Sequence, residues 1–388
     1  MLRPESPASI VVALFGAIGL LAGLVSCGGA GSNDNGSSVQ LNKVAVGKAL
    51  FFDQTLSSPP GMSCATCHSP TKAFTDPRPG FPTSQGVIKG LFGFRKAPSI
   101  TYMAFSPVFQ AGTGKNGTNA TGGQFWDGGA PDLPSQAKFP LVNPREMNNS
   151  NLNAVVATVQ SGPEAAALKR IYGSKIFKDP STAINAIVDA IAAFEKSPEI
   201  SPFTSKYDAF LKGKAQLAPA EQSGLAVFNG KGGCSGCHSS SPLADGTPPL
   251  FTNYRFANLG LPKNPNNPFY TIPRQVNPLG PAFVDMGLGD VTQNASDDGN
   301  FMIPPLRNVA LKAPYFHNGY FNNLNDVLNF FNSRDLGGFP IAEVPQTEDK
   351  SDLGNLGLTP QEQADIVAFL GTLTDGYTSN PTSIRPSR

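Results

Sequence analysis

The chain of 388 residues is poor in the residues that usually carry metal and redox chemistry, with five cysteines, three histidines and one tryptophan. It also lacks an excess of charge of either sign. The formal net charge is +1 at pH 7, which gives no indication of the basic surface that nucleic-acid binding needs. We therefore expect no nucleic acid as a partner. Long apolar runs are absent except for one near the amino terminus. Because the informative residues are so few, their positions carry most of the functional signal.

Four of the five cysteines and two of the three histidines lie in two Cys-x-x-Cys-His motifs, which begin at Cys64 and Cys234. Two thiols at this spacing can each form a thioether with a vinyl group of haem, and the next residue can bind the iron. The motifs therefore predict two covalently bound haems c. A zinc site would need four ligands in one place, and a redox cysteine pair does not need the histidine. The predicted haem-binding residues are Cys64, Cys67, His68, Cys234, Cys237 and His238, with His68 and His238 on the haem iron.

The fifth cysteine, Cys27, follows the apolar run. Arg3 precedes this run, which extends from about Ile10 to Val25 and is too short to favour a membrane-spanning helix. It predicts a cleaved export signal and a periplasmic location. The ending Leu-Val-Ser-Cys resembles a bacterial lipobox, which implies that Cys27 is lipidated and holds the protein at a membrane surface. An ordinary signal peptide is the alternative.

A weak internal repeat divides the chain. A helical segment precedes each motif, over Val44 to Phe52 and Gln222 to Phe228. Apolar residues at helical spacing predict a closing helix over Ser181 to Ser197, and a second begins at the capping box formed by Thr359 to Glu362. With 41 glycines and 36 prolines, long loops are expected between the helices. The predicted fold is all-α, with two loop-rich cytochrome c-like domains that each bind one haem.

The predicted boundaries follow from these features. Residues 1–26 are a lipoprotein signal peptide, and residues 27–40, rich in Gly, Ser and Asn, are a flexible tether. Residues 41–205 form the N-terminal domain and residues 206–375 the C-terminal domain, followed by a tail over residues 376–388. With every cysteine assigned, no disulfide is expected.

Short motifs between and after the two haem motifs are more specific. They are Phe125-Trp126-Asp127-Gly128-Gly129, Asn143-Pro144-Arg145-Glu146-Met147, Arg307-Asn308-Val309 and Ala313-Pro314-Tyr315-Phe316-His317-Asn318-Gly319. Over roughly residues 41 to 375 the chain resembles the bacterial dihaem cytochrome c peroxidase family, including its MauG-like branch. The resemblance implies a peroxidatic N-terminal haem, a C-terminal haem that takes in electrons, and a Trp between them.

The resemblance also implies roles for three catalytic residues. Trp126, the only Trp, takes the place of the electron relay or radical site between the haems, and Gln136 and Glu146 match the distal Gln and Glu of the family. Chemistry independently favours Glu146, because peroxide cleavage needs a base that moves a proton from one oxygen to the other, and burial can raise the pKa of a carboxyl group. Gln136 would orient peroxide or water. The structural alternatives are that Trp126 is a core aromatic, that Gln136 lies on a helix surface and that Glu146 is a solvated surface acid.

One histidine remains after His68 and His238 are assigned to iron. His317 lies in the family's Pro-Tyr-Phe-His motif, which implies a place near the C-terminal haem, as a hydrogen-bond donor at its edge or as a core histidine. In several relatives a His in the region corresponding to residues 83–96 closes the peroxidatic haem, and here that region has none. We therefore expect the N-terminal haem to be open to peroxide in the oxidised protein.

Two further differences between this chain and the family concern metal ligands. Lys96 and Lys312 stand where relatives bind calcium between the domains, and ammonium groups repel a hard dication, so the sequence argues against calcium. Fourteen residues after His317, where relatives carry the Met or Tyr ligand of the C-terminal haem, the chain has Phe331. A phenyl ring cannot bind iron. The C-terminal haem is therefore five-coordinate, or it takes another donor, for which Met286, Met302 and water are the candidates.

The leading functional hypothesis is a peroxidase that reduces hydrogen peroxide to water with electrons from a small periplasmic cytochrome c or copper protein. A MauG-like oxidase of a partner protein that acts through Trp126, an electron-transfer protein without peroxidase activity, and a haem-based sensor are the alternatives. The presence of both Gln136 and Glu146 favours catalysis over electron transfer alone. A homodimer is compatible with the sequence.

Overall fold

A computed structural model of the chain describes residues 34–112, 119–351 and 353–378, with side chains from Asn42 onward. The predicted signal peptide, the lipidation site Cys27 and most of the predicted tail lie outside the described residues. Within them the fold is helical and rich in loops. The α-helices are α1 Asp34–Phe52, α2 Cys64–Cys67, α3 Leu133–Gln136, α4 Lys138–Val142, α5 Leu152–Ser161, α6 Ala165–Tyr172, α7 Pro180–Glu195, α8 Lys206–Leu211, α9 Pro219–Asn229, α10 Leu288–Thr292, α11 Leu324–Ser333 and α12 Pro360–Gly371.

The helices predicted from the sequence are present, with one difference at the start. Helix α1 begins at Asp34, so residues 34–40 are helical where a flexible tether was expected. Helix α12 has the predicted capping box, in which the Thr359 hydroxyl accepts from the Glu362 amide and the Glu362 carboxylate accepts from the Thr359 amide. No described helix has the length and apolar character needed to cross a membrane.

The fold contains one small sheet that the all-α prediction missed. Strands β1 (Phe256–Ala257) and β2 (Phe301–Met302) pair antiparallel, with Phe256 opposite Met302. Each strand is only two residues long. Such a short ladder has too few residues for an alternating apolar pattern to be recognised.

Each half of the chain is built on a pair of crossing helices. Helix α1 crosses α7 at Gly47, where an added Cβ would lie 1.8 Å from the Ala190 carbonyl oxygen. Helix α9 crosses α12 at Gly224, where an added Cβ would lie 1.9 Å from the Asp365 carbonyl oxygen. Any side chain at either glycine would separate the two helices. The two halves therefore share one helix crossing, in agreement with the predicted repeat, while the exact domain boundaries stay predictions.

A separate apolar core fills each half. The N-terminal core includes Phe51, Leu168, Ile187 and Phe194, and the C-terminal core includes Phe228, Phe251, Phe369 and Leu373. Full burial of each of these large side chains contributes about 1.5–3 kcal/mol. Buried polar contacts join the halves. The Lys96 amide donates to the His317 carbonyl oxygen at 2.7 Å, and the Met302 amide donates to the Trp126 carbonyl oxygen at 2.7 Å. These bonds hold the 95–127 segment against the C-terminal half.

Candidate functional site

Two cavities open at the two Cys-x-x-Cys-His motifs. The N-terminal cavity has a volume of about 400 Å³ and is lined by Cys64, Cys67 and His68. The C-terminal cavity has a volume of about 540 Å³ and is lined by Cys234, Cys237 and His238. None of the four motif cysteines is in a disulfide bond. Helix α2 forms the first motif and a single 3₁₀ turn begins the second, so in both the His amide donates to the carbonyl oxygen of the first Cys at 2.9 Å.

The two motif histidines are oriented by backbone carbonyls. Nδ1 of His68 lies 3.2 Å from the Phe74 carbonyl oxygen, and Nδ1 of His238 lies 2.7 Å from the Phe251 carbonyl oxygen. Because a carbonyl oxygen can only accept, Nδ1 carries the hydrogen and Nε2 keeps its lone pair for a metal. Burial lowers the pKa of His68 and lowers that of His238 to about 4. Both rings are therefore neutral at pH 7, which is the form that binds iron.

Three of the four motif thiols, those of Cys64, Cys67 and Cys234, are not activated for redox exchange. Burial raises the pKa of Cys64 and Cys67 to about 12 and that of Cys234 to about 11. A thioredoxin-like pair depends on a lowered thiol pKa. Across residues 34–112, 119–351 and 353–378, no three His, Cys, Asp or Glu side chains converge to hold a bare metal ion. Two thiols, a free imidazole nitrogen and a large cavity at each motif fit a covalently bound haem better than the alternatives do.

The predicted catalytic residues Gln136 and Glu146 both line the N-terminal cavity. Gln136 is the last residue of α3, and its backbone amide donates to the Asp132 carbonyl oxygen at 2.9 Å. Glu146 lies in the loop after α4, where Asn143 Nδ2 donates to Glu146 Oε1 at 2.7 Å. Burial raises the pKa of Glu146, although Arg145 and the Asn143 hydrogen bond oppose this. The structure therefore brings Gln136 and Glu146 into the same cavity as His68.

The backbone around Glu146 is fixed by close packing. The Val87 amide donates to the Glu146 carbonyl oxygen at 2.8 Å. At Gly86 an added Cβ would lie 2.3 Å from the Arg145 carbonyl oxygen. A side chain at Gly86 would displace the loop that carries the carboxylate. The orientation of Glu146 thus depends on a glycine 60 positions away in the sequence.

Trp126 lines both cavities. Its indole Nε1 donates to the Lys96 carbonyl oxygen at 2.8 Å, while its own carbonyl oxygen accepts from Met302. These two bonds hold the ring at the boundary between the halves. The structure therefore places the only Trp between the two motifs, as the resemblance implies.

An ion-pair network beside Trp126 was not anticipated from the sequence. Arg95 donates to both carboxylate oxygens of Asp285 at 2.7 Å and also to the Asp127 carboxylate. Burial lowers the pKa of Arg95, but the two carboxylates raise it more and keep the guanidinium charged. The motif Trp-Asp-Gly-Gly marks Asp127, but no local signal marks Arg95 or Asp285.

The C-terminal cavity contains the remaining predicted residues. His317 lines it, is 5% exposed, and stacks on Phe301 with ring centroids 3.5 Å apart. Its Nε2 is buried without a hydrogen-bond partner among the described residues, and burial lowers its pKa to about 3. Phe331 and Met302 also line this cavity, whereas Met286 does not. Of the two methionines suggested as iron ligands, only Met302 is therefore in position to be one.

The two lysines at the expected calcium position contact each other. The Lys96 ammonium donates to the Lys312 carbonyl oxygen, and the side chains are 7% and 8% exposed. Burial lowers the pKa of each to about 7, and the charge of Lys312 adds to this effect at Lys96. An oxygen that could bind a dication is thus occupied by an ammonium group.

Comparisons with known proteins agree with this geometry. A family model described as di-haem cytochrome c peroxidase matches residues 41–216. The chain is 36% identical to methylamine utilization protein MauG of Paracoccus denitrificans, over 85% of this chain and 88% of that protein. It is 33% identical to cytochrome c551 peroxidase of Pseudomonas aeruginosa, over 87% and 80%. The fold is similar to the diheme peroxidase BthA from Burkholderia thailandensis, with a TM-score of 0.73, 31% identity and 86% of each chain covered.

Proposed function

The chain belongs to the di-haem cytochrome c peroxidase family, and from this premise we propose that it reduces hydrogen peroxide to water with electrons from a small donor protein. The convergence of Glu146, Gln136 and His68 on one cavity carries the proposal. An electron-transfer protein or a sensor would not need a carboxyl group of raised pKa beside the metal-binding imidazole.

The family implies two c-type haems, and we propose that both are covalently attached. Cys64 and Cys67 would hold one haem with His68 as iron ligand, and Cys234 and Cys237 the other with His238. When bound, the haems supply iron that binds peroxide and stores and transfers electrons. His317, with its unpartnered Nε2, would donate a hydrogen bond at the edge of the C-terminal haem.

Residues of the N-terminal cavity would carry the proton steps. Conversion of one peroxide molecule to two waters consumes two electrons and two protons. Glu146 would accept a proton from one peroxide oxygen and return it to the other, since its raised pKa suits both steps. Gln136, which lines the same cavity, would orient the peroxide by hydrogen bonding.

Trp126 would connect the two cavities. Electrons that enter at the C-terminal cavity must cross to the N-terminal one, and Trp126 lines both. Its two backbone-directed hydrogen bonds keep the ring in one position. A fixed aromatic ring between two redox centres shortens each transfer step.

A MauG-like oxidation of a partner protein is the second candidate, favoured by the 36% identity to the Paracoccus protein. Steady-state turnover separates the two functions. We expect peroxide-dependent oxidation of a reduced small cytochrome c or copper protein, with one peroxide consumed per two electrons. Absence of turnover with every such donor, together with peroxide-dependent oxidation of a protein partner, would favour the MauG-like function.

The oxidised protein is expected to react with peroxide without prior reduction. Residues of the 83–96 segment that line the N-terminal cavity include Ser84, Phe94 and Arg95, and the segment contains no His to close the iron. The ferric protein should therefore show a high-spin signal, and its spectrum should change on addition of peroxide with no lag. Two low-spin ferric haems, or a lag until one electron is added, would contradict this.

Substitution of Phe331 should change the spin state of the C-terminal haem. Phe331 lines the C-terminal cavity, and the methionines among the described lining residues are Met103 and Met302. We expect no Met-to-iron charge-transfer band in the wild-type ferric spectrum, and conversion of this haem to low spin in Phe331→Met and Phe331→Tyr. Phe330→Met is the control, because Phe330 is buried in the core and does not line the cavity. A wild-type low-spin His/Met haem would instead point to Met302 as the ligand.

Location and further partners are also proposed. The export signal and Cys27 support a periplasmic, lipid-anchored protein. The contact of the Lys96 ammonium with the Lys312 carbonyl oxygen supports a protein without interdomain calcium. A homodimer stays a prediction.

A further inference from the structure

The shared helix crossing aligns the closing helices of the two halves residue by residue. Gly47 contacts Ala190 as Gly224 contacts Asp365. Matching Ala190 with Asp365 also matches the buried Phe194 with the buried Phe369. The next residue is Glu195 in α7 and Leu370 in α12.

Glu195 and Leu370 occupy equivalent places in the two cavities. Glu195 lines the N-terminal cavity and Leu370 the C-terminal one, and each is 5% exposed. The repeat therefore puts a carboxyl group in one cavity where the other has a methyl-bearing side chain of similar size. Oε2 of Glu195 is fully buried and has no hydrogen-bond partner among the described residues. Burial of a carboxyl group without a partner disfavours its charged form.

The groups around Glu195 do not stabilise its ionised carboxylate enough to offset burial. On its own segment Lys196 is exposed and lowers the pKa only partly, so that burial still raises it to about 8. From α2, Cys64 faces Glu195 as a neutral thiol or thioether. From α1, Lys48 is bound to the exposed Glu199 at 2.7 Å.

Glu146, the other carboxyl group in this cavity, differs from Glu195. Its charged form is supported by the Asn143 hydrogen bond and by Arg145. Oε2 of Glu195 has no such hydrogen bond among the described residues, and the positive charge that acts on it is that of the exposed Lys196. Its protonation therefore responds directly to charge added inside the cavity.

We propose that Glu195 is a redox-linked proton site of the N-terminal haem. Glu195 takes up one proton from solvent when the iron held by His68 gains one electron, and it releases that proton when the iron loses the electron. The net charge of the cavity is then unchanged by reduction. The inference rests on the proposed haem at His68 but not on peroxide reduction. Leu370 cannot titrate, so the C-terminal haem has no carboxyl group at the equivalent place.

Potentiometric titration of the intact holoprotein, followed by its visible spectrum, tests the coupling. We expect the midpoint potential of one of the two one-electron waves to depend on pH between about pH 6 and about pH 9. The equilibrium constant of that reduction should change by up to tenfold per pH unit, which is about 59 mV for one electron. In Glu195→Gln, which keeps the shape of the side chain, this wave should no longer depend on pH. In Leu370→Glu the other wave should acquire a pH dependence.

The controls separate Glu195 from other acids. Glu199→Gln removes an exposed carboxyl group four residues away and should leave the slope intact. A slope that persists in Glu195→Gln, or a wild-type protein whose waves are both independent of pH, would overturn the proposal. Peroxide turnover is a separate readout: its absence alongside a slope that Glu195→Gln removes would refute the peroxidase function and leave this inference standing.

Discussion

Replacement of Glu146 by Gln is expected to lower peroxide turnover by about 10²–10⁴-fold while both haems stay attached. The amide keeps the hydrogen-bonding shape of the carboxyl group but cannot accept and return a proton. Because burial raises the pKa of Glu146, the wild-type rate at low peroxide should rise with pH as the carboxyl group ionises. This rise should be absent in the variant. Steady-state rates across pH, with haem content measured on the same samples, provide the test.

Two further variants provide turnover rates with which that of Glu146→Gln can be compared. Gln136→Ala should lower turnover less than Glu146→Gln does, since Gln136 orients the substrate and transfers no proton. Glu164→Gln is the matched control, because Glu164 precedes α6 and does not line the N-terminal cavity. Turnover of Glu146→Gln equal to that of Glu164→Gln would leave Glu146 without a catalytic role.

Two haems are expected to remain on the chain after acid–acetone extraction, and intact mass should show both. Replacing Cys64 and Cys67 together by Ser should remove one covalently bound haem and abolish peroxide turnover. The cysteines of the second motif provide the reciprocal variant, Cys234→Ser with Cys237→Ser. It should keep the N-terminal haem and its peroxide reaction but lose electron transfer from the donor protein.

The reciprocal pair distinguishes the two cavities. If each double variant loses one haem, the spectrum of each variant comes from the haem that remains and gives the spin state of that cavity directly. Haem that is extractable from the wild-type protein, or a mass that corresponds to one haem, would contradict covalent attachment at both motifs.

The local features of the fold could be predicted because short-range chemistry determines them. The two Cys-x-x-Cys-His motifs predict haem attachment from the spacing of their residues alone. Helix α12 could be predicted from the Thr359 to Glu362 capping box, since capping involves residues within one turn. The start of α1 at Asp34 could not be placed, because the Asn, Gly and Ser residues there favour loops by composition.

The sites depend on contacts between distant segments. Arg95 pairs with Asp285 and Lys96 binds the Lys312 carbonyl oxygen, yet no local pattern links these residues. Glu195 ends an amphipathic helix, where an acidic residue is normally solvated, and only the packing of α7 around the cavity buries it.

The sequence by itself indicated the two haem motifs and the main helices, since these follow from spacing and periodicity along the chain, and its short motifs resemble those of the dihaem cytochrome c peroxidase family. Only the tertiary structure decided that Glu146, Gln136 and His68 share one cavity, that Trp126 lies between two, and that Glu195 is buried without a partner. The physical reason is that burial and charge pairing are properties of the folded packing. They arise when segments far apart in the sequence exclude water from the same space.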